Sequence, residues 1–151
     1  MAGFFDVLIS HSNKNKSRAE QFSVLKATMA GAALISMADN DLKRGERYAT
    51  QKLIQKVTGS KLYREDDGMG LFEDYIKKLQ NDRTTATTEI LNDIAAVKDS
   101  PEDATMVIVL CKTISSADRD ICPEELTCLD QICTLLELDC AAIKAIKVPD
   151  F

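Results

Sequence analysis

The sequence predicts an all-α fold. Apolar residues recur at spacings of three and four along almost the whole chain, which is the period of helices with one face in a core. The one run that reads as a strand, Met106-Val107-Ile108-Val109-Leu110-Cys111, finds no second strand to pair with. Pro101, Glu102 and Asp103 precede it as a good helix start, so it is read as a buried helix.

Residues 1–16 open with an apolar group, Phe4, Phe5, Val7, Leu8 and Ile9, and Lys14, Lys16 and Arg18 follow. They predict a first helix that docks on the body or lies peripherally on a membrane surface. Phe22, Leu25, Met29 and Ala32 make the next helical face. The longest nearly apolar run, Ala27 to Ala38, is too short for the ~20 residues a bilayer span takes. Leu71, Phe72, Tyr75, Ile76 and Leu79 form a further face, as do Ala86, Ile90, Leu91, Ile94 and Ala95. Leu126, Leu129, Ile132, Cys133 and Leu136 form the last. Breaks are predicted at Asn13 to Asn15, Asp39 to Gly45, Val57 to Gly70, Asn81 to Thr85, Asp99 to Pro101, Asp118 to Pro123 and Glu137 to Cys140. They leave about seven to eight helices joined by connections of ordinary length. Val57 to Gly70, with Gly59, Gly68 and Gly70 around Asp66 and Asp67, is read as an internal loop.

A chain of 151 residues makes one domain, 1–151. It is long enough to bury roughly 70% of its unfolded surface without staples. With 45% hydrophobic and 28% charged residues the composition is that of a globular protein. Lys and Arg number 19 against 24 Asp and Glu, and the net charge of -5 excludes nucleic acid as the default partner. The N-terminus has neither the basic start nor the small-residue cleavage site of a signal peptide. With the odd count of five cysteines, this predicts a cytoplasmic protein with reduced thiols.

The thiols, Cys111, Cys122, Cys128, Cys133 and Cys140, include no C-x-x-C pair and read as small buried hydrophobes. Cys122 stands apart. A helix N-terminus would lower its pKa, and the surrounding Asp118, Asp120, Glu124 and Glu125 would oppose that. His11 is the only histidine, which argues against a zinc site built on imidazole. No Ser-His-Asp set, phosphate loop or H-E-x-x-H is present, so the residues give no support for an enzyme.

A repeat stands out. Ala38-Asp39-Asn40-Asp41-Leu42-Lys43-Arg44-Gly45-Glu46 lines up with Ala117-Asp118-Arg119-Asp120-Ile121-Cys122-Pro123-Glu124-Glu125 as A-D-x-D-[LI]-x-x-x-E. Each copy follows the most apolar helix of its half and precedes an amphipathic one. The chain therefore reads as two helix–acidic loop–helix units about a pseudo-twofold axis, with residues 30–37 and 105–114 as central helices. Two readings of the turns stand open. In one, Asp39, Asp41 and Glu46, and likewise Asp118, Asp120 and Glu125, converge as all-oxygen sites for a hard divalent cation, Ca²⁺, Mg²⁺ or Mn²⁺. The turns are not EF-hands. Counted from Asp39 the fifth and twelfth positions are Lys43 and Thr50, and counted from Asp118 they are Cys122 and Leu129. In the other reading the acids cap helices: Pro123 starts a helix and Glu125 sits at its third position, with Glu46 in the same place in the first unit. The N-caps would then be Lys43 and Cys122, both poor ones.

The two turns, with LFEDYIKKL at 71–79, MVIVLC at 106–111, LDQICTLLELD at 129–139 and Phe4-Phe5 at the start, resemble the tellurite-resistance TerB family from about Ser17 to Ile146. The resemblance implies an all-helical fold with internal pseudosymmetry, an acidic surface and a role in resistance to tellurite and related stresses. It also implies metal chelation by Asp39, Asp41, Glu46, Asp118, Asp120 and Glu125, and complexes with other tellurite-resistance proteins, a membrane-embedded one among them. In the first turn Lys43, Arg44 and Gly45 stand where the family often has Ser and acids. The expected function is that of a non-enzymatic, cation-binding interaction protein, cytoplasmic or peripheral at the inner face of the membrane. The alternatives are a thiol-dependent enzyme acting on tellurite and a purely structural helical scaffold.

Overall fold

A computed structural model describes residues 18–38, 52, 65–115 and 122–145. Six helices lie among them: α1 (Arg18–Ser36), α2 (Glu65–Asn81), α3 (Arg83–Ala95), α4 (Pro101–Ser115), α5 (Pro123–Leu135) and α6 (Cys140–Ala145). No strand occurs among the described residues, and the Met106–Cys111 run is the buried middle of α4. The predicted apolar helix at 1–16 lies outside the described residues.

α1 is the central element. From Val24 to Met37 nearly all its side chains are buried, and it packs on α2, α3 and α4. A helix apolar all round has to be enclosed on all sides. α4 is its counterpart, and residues 104, 106–111 and 113 are buried in it. The two meet at Gly31, where a Cβ would come within 2.7 Å of Cys111 Sγ. Both central helices bury a threonine, and each hydroxyl donates to its own preceding turn, Thr28 to the Val24 carbonyl and Thr113 to the Val109 carbonyl, both at 2.8 Å. That local bond removes the cost of enclosing an unpaired hydroxyl. The predicted central segments, 30–37 and 105–114, thus fall in α1, but for residue 37 just past its end, and within α4. The helix expected to follow the first acidic turn lies outside the described residues except for Lys52, which is helical.

Three expectations about the helices are corrected. The predicted loop from Val57 to Gly70 is helical from Glu65 onward, because α2 takes in Gly68 and Gly70. Gly68 is buried, so packing offsets the roughly 1 kcal/mol that a glycine costs in a helix. The predicted break from Asn81 to Thr85 shrinks to Asp82, whose carboxylate caps α3 by accepting from the Thr85 backbone N–H at 3.3 Å and its hydroxyl at 2.8 Å. Phe22 and Leu126, both assigned to core faces, are 44% and 39% exposed, so the buried stripes of α1 and α5 are narrower than the periodicity predicts.

α1, α2 and α3 share a polar network at the edge of the core. The Tyr75 hydroxyl donates to Asp93 at 2.6 Å, Lys26 pairs with the other oxygen of Asp93 at 3.7 Å, and Lys78 pairs with Glu89 at 2.8 Å. Burial, and then the bond to Asp93, pushes the Tyr75 hydroxyl well above the ordinary phenol range. At the other end of the chain Cys133 and Cys140 are joined as a disulfide. This corrects the expectation that all five thiols are reduced. The spacing rule looks for C-x-x-C within one element, whereas a chain reversal brings this pair together.

Candidate functional site

Of the six predicted ligands, Asp39, Asp41, Glu46, Asp118 and Asp120 lie outside the described residues. Glu125 is described, and it sits in the first turn of α5 with 1% of its surface exposed. Its Oε1 accepts from the Cys122 backbone N–H at 3.5 Å and from the Cys122 thiol at 3.1 Å. Pro123 occupies the first helical turn and Cys122 is the N-cap, with extended backbone at φ -76° and ψ 161°. The capping geometry read for the second unit is therefore present. Cys122, a poor cap on statistics, fills the place because its sulfur reaches Glu125.

Burial and that contact together override the helix N-terminus as the influence on Cys122. Burial, and then donation to the Glu125 carboxylate, pushes the thiol up to about 11. The sequence expectation named the acids as the opposing influence, and it did not name burial, which is the larger one.

A cleft of about 340 Å³ opens between the C-terminal end of α1, the start of α3 and the first half of α5. Leu34 lines it from α1 and Ala38 from just past its end, Arg83 and Thr87 from α3, and Glu124, Thr127, Cys128 and Gln131 from α5. Arg83 donates from Nη2 to the Ala38 carbonyl at 3.3 Å, so a guanidinium closes the exposed end of α1. The Cys128 thiol in its wall is pushed up to about 12 by burial, with Arg83 pulling the other way and Glu125 adding to the rise. It is a protonated and weakly nucleophilic sulfur at neutral pH.

The position of the cleft relative to the repeat is specific. Ala38 is the residue before Asp39, and Glu124 follows the second turn directly. Described residues flanking both acidic turns thus share one cavity. Arg83 was not found from the sequence. It is 45 residues from both Ala38 and Cys128 in the chain, and only the packing of α3 against α1 and α5 brings it there.

Among the described residues no group of three or more His, Cys, Asp or Glu side chains is placed to hold a metal ion. The one described candidate, Glu125, engages Oε1 in the cap, and a carboxylate carries a second acceptor oxygen. The six candidates offer oxygen alone, which suits hard cations. A family model described as "Tellurite resistance protein TerB" matches residues 25–148. No curated protein and no solved structure gives a match.

Proposed function

The chain belongs to the TerB family of tellurite-resistance proteins, and we propose that it acts there as a non-enzymatic interaction protein that binds a divalent cation. The observation that supports this reading is the shared cleft, lined by Ala38 beside the first acidic turn and by Glu124 beside the second. On this reading the acids of the two turns gather like charge beside one cavity, and Arg83 is the one cation among the described residues that line it. A divalent ion would offset the remainder. Asp39, Asp41 and Glu46 would hold one such ion and Asp118, Asp120 and Glu125 another, and Ca²⁺, Mg²⁺ and Mn²⁺ suit those donor sets. When bound, such an ion neutralises charge and orders the turns. The partners on this reading are other tellurite-resistance proteins, a membrane-embedded one included. The protein itself works in the cytoplasm or peripherally at the inner membrane face. No helix among the described residues is long and apolar enough to cross a membrane. The thiol-enzyme reading has less behind it, since the sulfur that lines the cleft, Cys128, is held protonated.

The test is an NMR titration of the full chain with Ca²⁺, Mg²⁺ and Mn²⁺, alongside the double variant Asp118→Asn, Asp120→Asn. Binding shifts amides at Ala38 and Glu124, and the variant loses the response at Glu124. It also raises stability by about 2.7 kcal/mol at a hundredfold excess over Kd. A chain that ignores all three ions, and that the two substitutions destabilise equally with and without metal, would leave capping as the role of the turns.

A further inference from the structure

α5 ends in a reversal. Glu137 takes a left-handed backbone at φ 57°, and the Leu138 N–H returns to the Cys133 carbonyl at 3.2 Å. The turn brings Cys140, the first residue of α6, beside Cys133 with the Cα atoms 5.7 Å apart, an ordinary disulfide separation. The Leu138 carbonyl lies 3.6 Å from Cys133 Sγ and 3.7 Å from Cys140 Sγ. It is placed to accept from either thiol when the bond is open, so the reduced state has an acceptor at hand.

The pair differs from the other cysteines. Cys111 and Cys128 are buried, and Cys122 donates to Glu125. Cys140 is half-buried and within reach of a small reagent, while Cys133 is 1% exposed behind it. The ring they close runs only from 133 to 140 and ties no distant element. What it fixes is α6. Six residues do not hold a helix in water alone. The other anchors of α6 are few. Asp139 caps the Ala142 N–H at 3.1 Å, Ile143 enters the core, and Lys112 donates to the Ile143 carbonyl at 3.0 Å.

We infer that Cys133 and Cys140 form a reversible redox site that sets how firmly α6 is held against α4 and α5. The oxidant is a small-molecule disulfide such as oxidised glutathione. The Cys140 thiolate attacks one of its sulfurs, the reagent's S–S bond breaks, and one glutathione thiolate leaves. The Cys133 thiolate then attacks Cys140 in the mixed disulfide and expels the second. Two electrons and the two cysteine protons end on two glutathione thiols. A dithiol reductant runs the sequence backward, entering at the more exposed Cys140 sulfur.

The test uses the full chain equilibrated with oxidised glutathione or with dithiothreitol. Thiols are counted by alkylation after denaturation, the bond is mapped by peptide mass, and amide exchange is followed in each state. Oxidised protein should show three alkylatable cysteines, Cys111, Cys122 and Cys128, and reduced protein all five. Reduction should speed exchange of the amides at 141–145 on the order of 10- to 100-fold, with α1 unchanged. Cys140→Ser, a change at a half-buried position, should match the reduced protein in non-reducing buffer. Five free thiols after the oxidant, a bond between other cysteines, or equal exchange in α6 in both states would each overturn the inference.

Discussion

At its first turn α5 is held by a buried carboxylate, Glu125, accepting from the Cys122 backbone and thiol; at its last turn Cys133 is bonded to Cys140. Both devices do the same mechanical job, fixing the chain where a helix leaves backbone groups unpaired. They answer to different variables. The first depends on protonation and the second on redox state. Between them Leu129 and Ile132 anchor the helix in the core through contacts that neither variable touches. The helix is thus constant in its middle and adjustable at its ends. The cleft adjoins one end and α6 the other.

The largest effect is expected at the covalent end. Cys140→Ser, or reduction of the wild type, should lower unfolding free energy in urea by about 2–3 kcal/mol, the value for a ring this small. The next is at the carboxylate end, where Glu125→Ala should cost about 1–2 kcal/mol by leaving the cap unmade in a buried place. The two costs should add, because the ends lie roughly 16 Å apart along the helix rise. A clear departure from additivity would mean that the ends communicate. The smallest effect is a pH dependence at Cys122. Its folded value of about 11 stands above the ordinary 9.0. A raised value means that its contribution is complete below pH 9 and is lost as pH climbs toward 11. Alkylation rates at Cys122 against pH should show the late midpoint, and Glu125→Ala should move it down.

The sequence was legible where one local rule decided the outcome. Pro101 with Glu102 and Asp103 announces α4, and Pro123 two residues before Glu125 announces the cap that Cys122 completes. It was misleading where tertiary packing outweighed a local preference. Gly68 and Gly70 read as punctuation, yet α2 runs through both, because it packs along α1. It was silent where function depends on residues far apart in the chain. Arg83 meets Ala38 across 45 positions. The Cys133–Cys140 bond depends on a left-handed residue, Glu137, that no periodicity signals. Of the six acids proposed for the cation, the structure describes Glu125, and its place in the cap was readable from spacing.

The crossing of α1 and α4 at Gly31 and Cys111 has a consequence for how this chain can change over time. A Cβ at 31 would meet the Cys111 sulfur at 2.7 Å, and that sulfur itself faces the Thr28 carbonyl at 3.7 Å. The two positions therefore share one small volume, filled from the α4 side. Side-chain size becomes a conserved sum across the pair rather than a property of either site. A methyl gained at 31 has to be matched by a sulfur lost at 111. In divergent copies of this fold the two residues should exchange bulk as a couple, and a change at one alone should be rare.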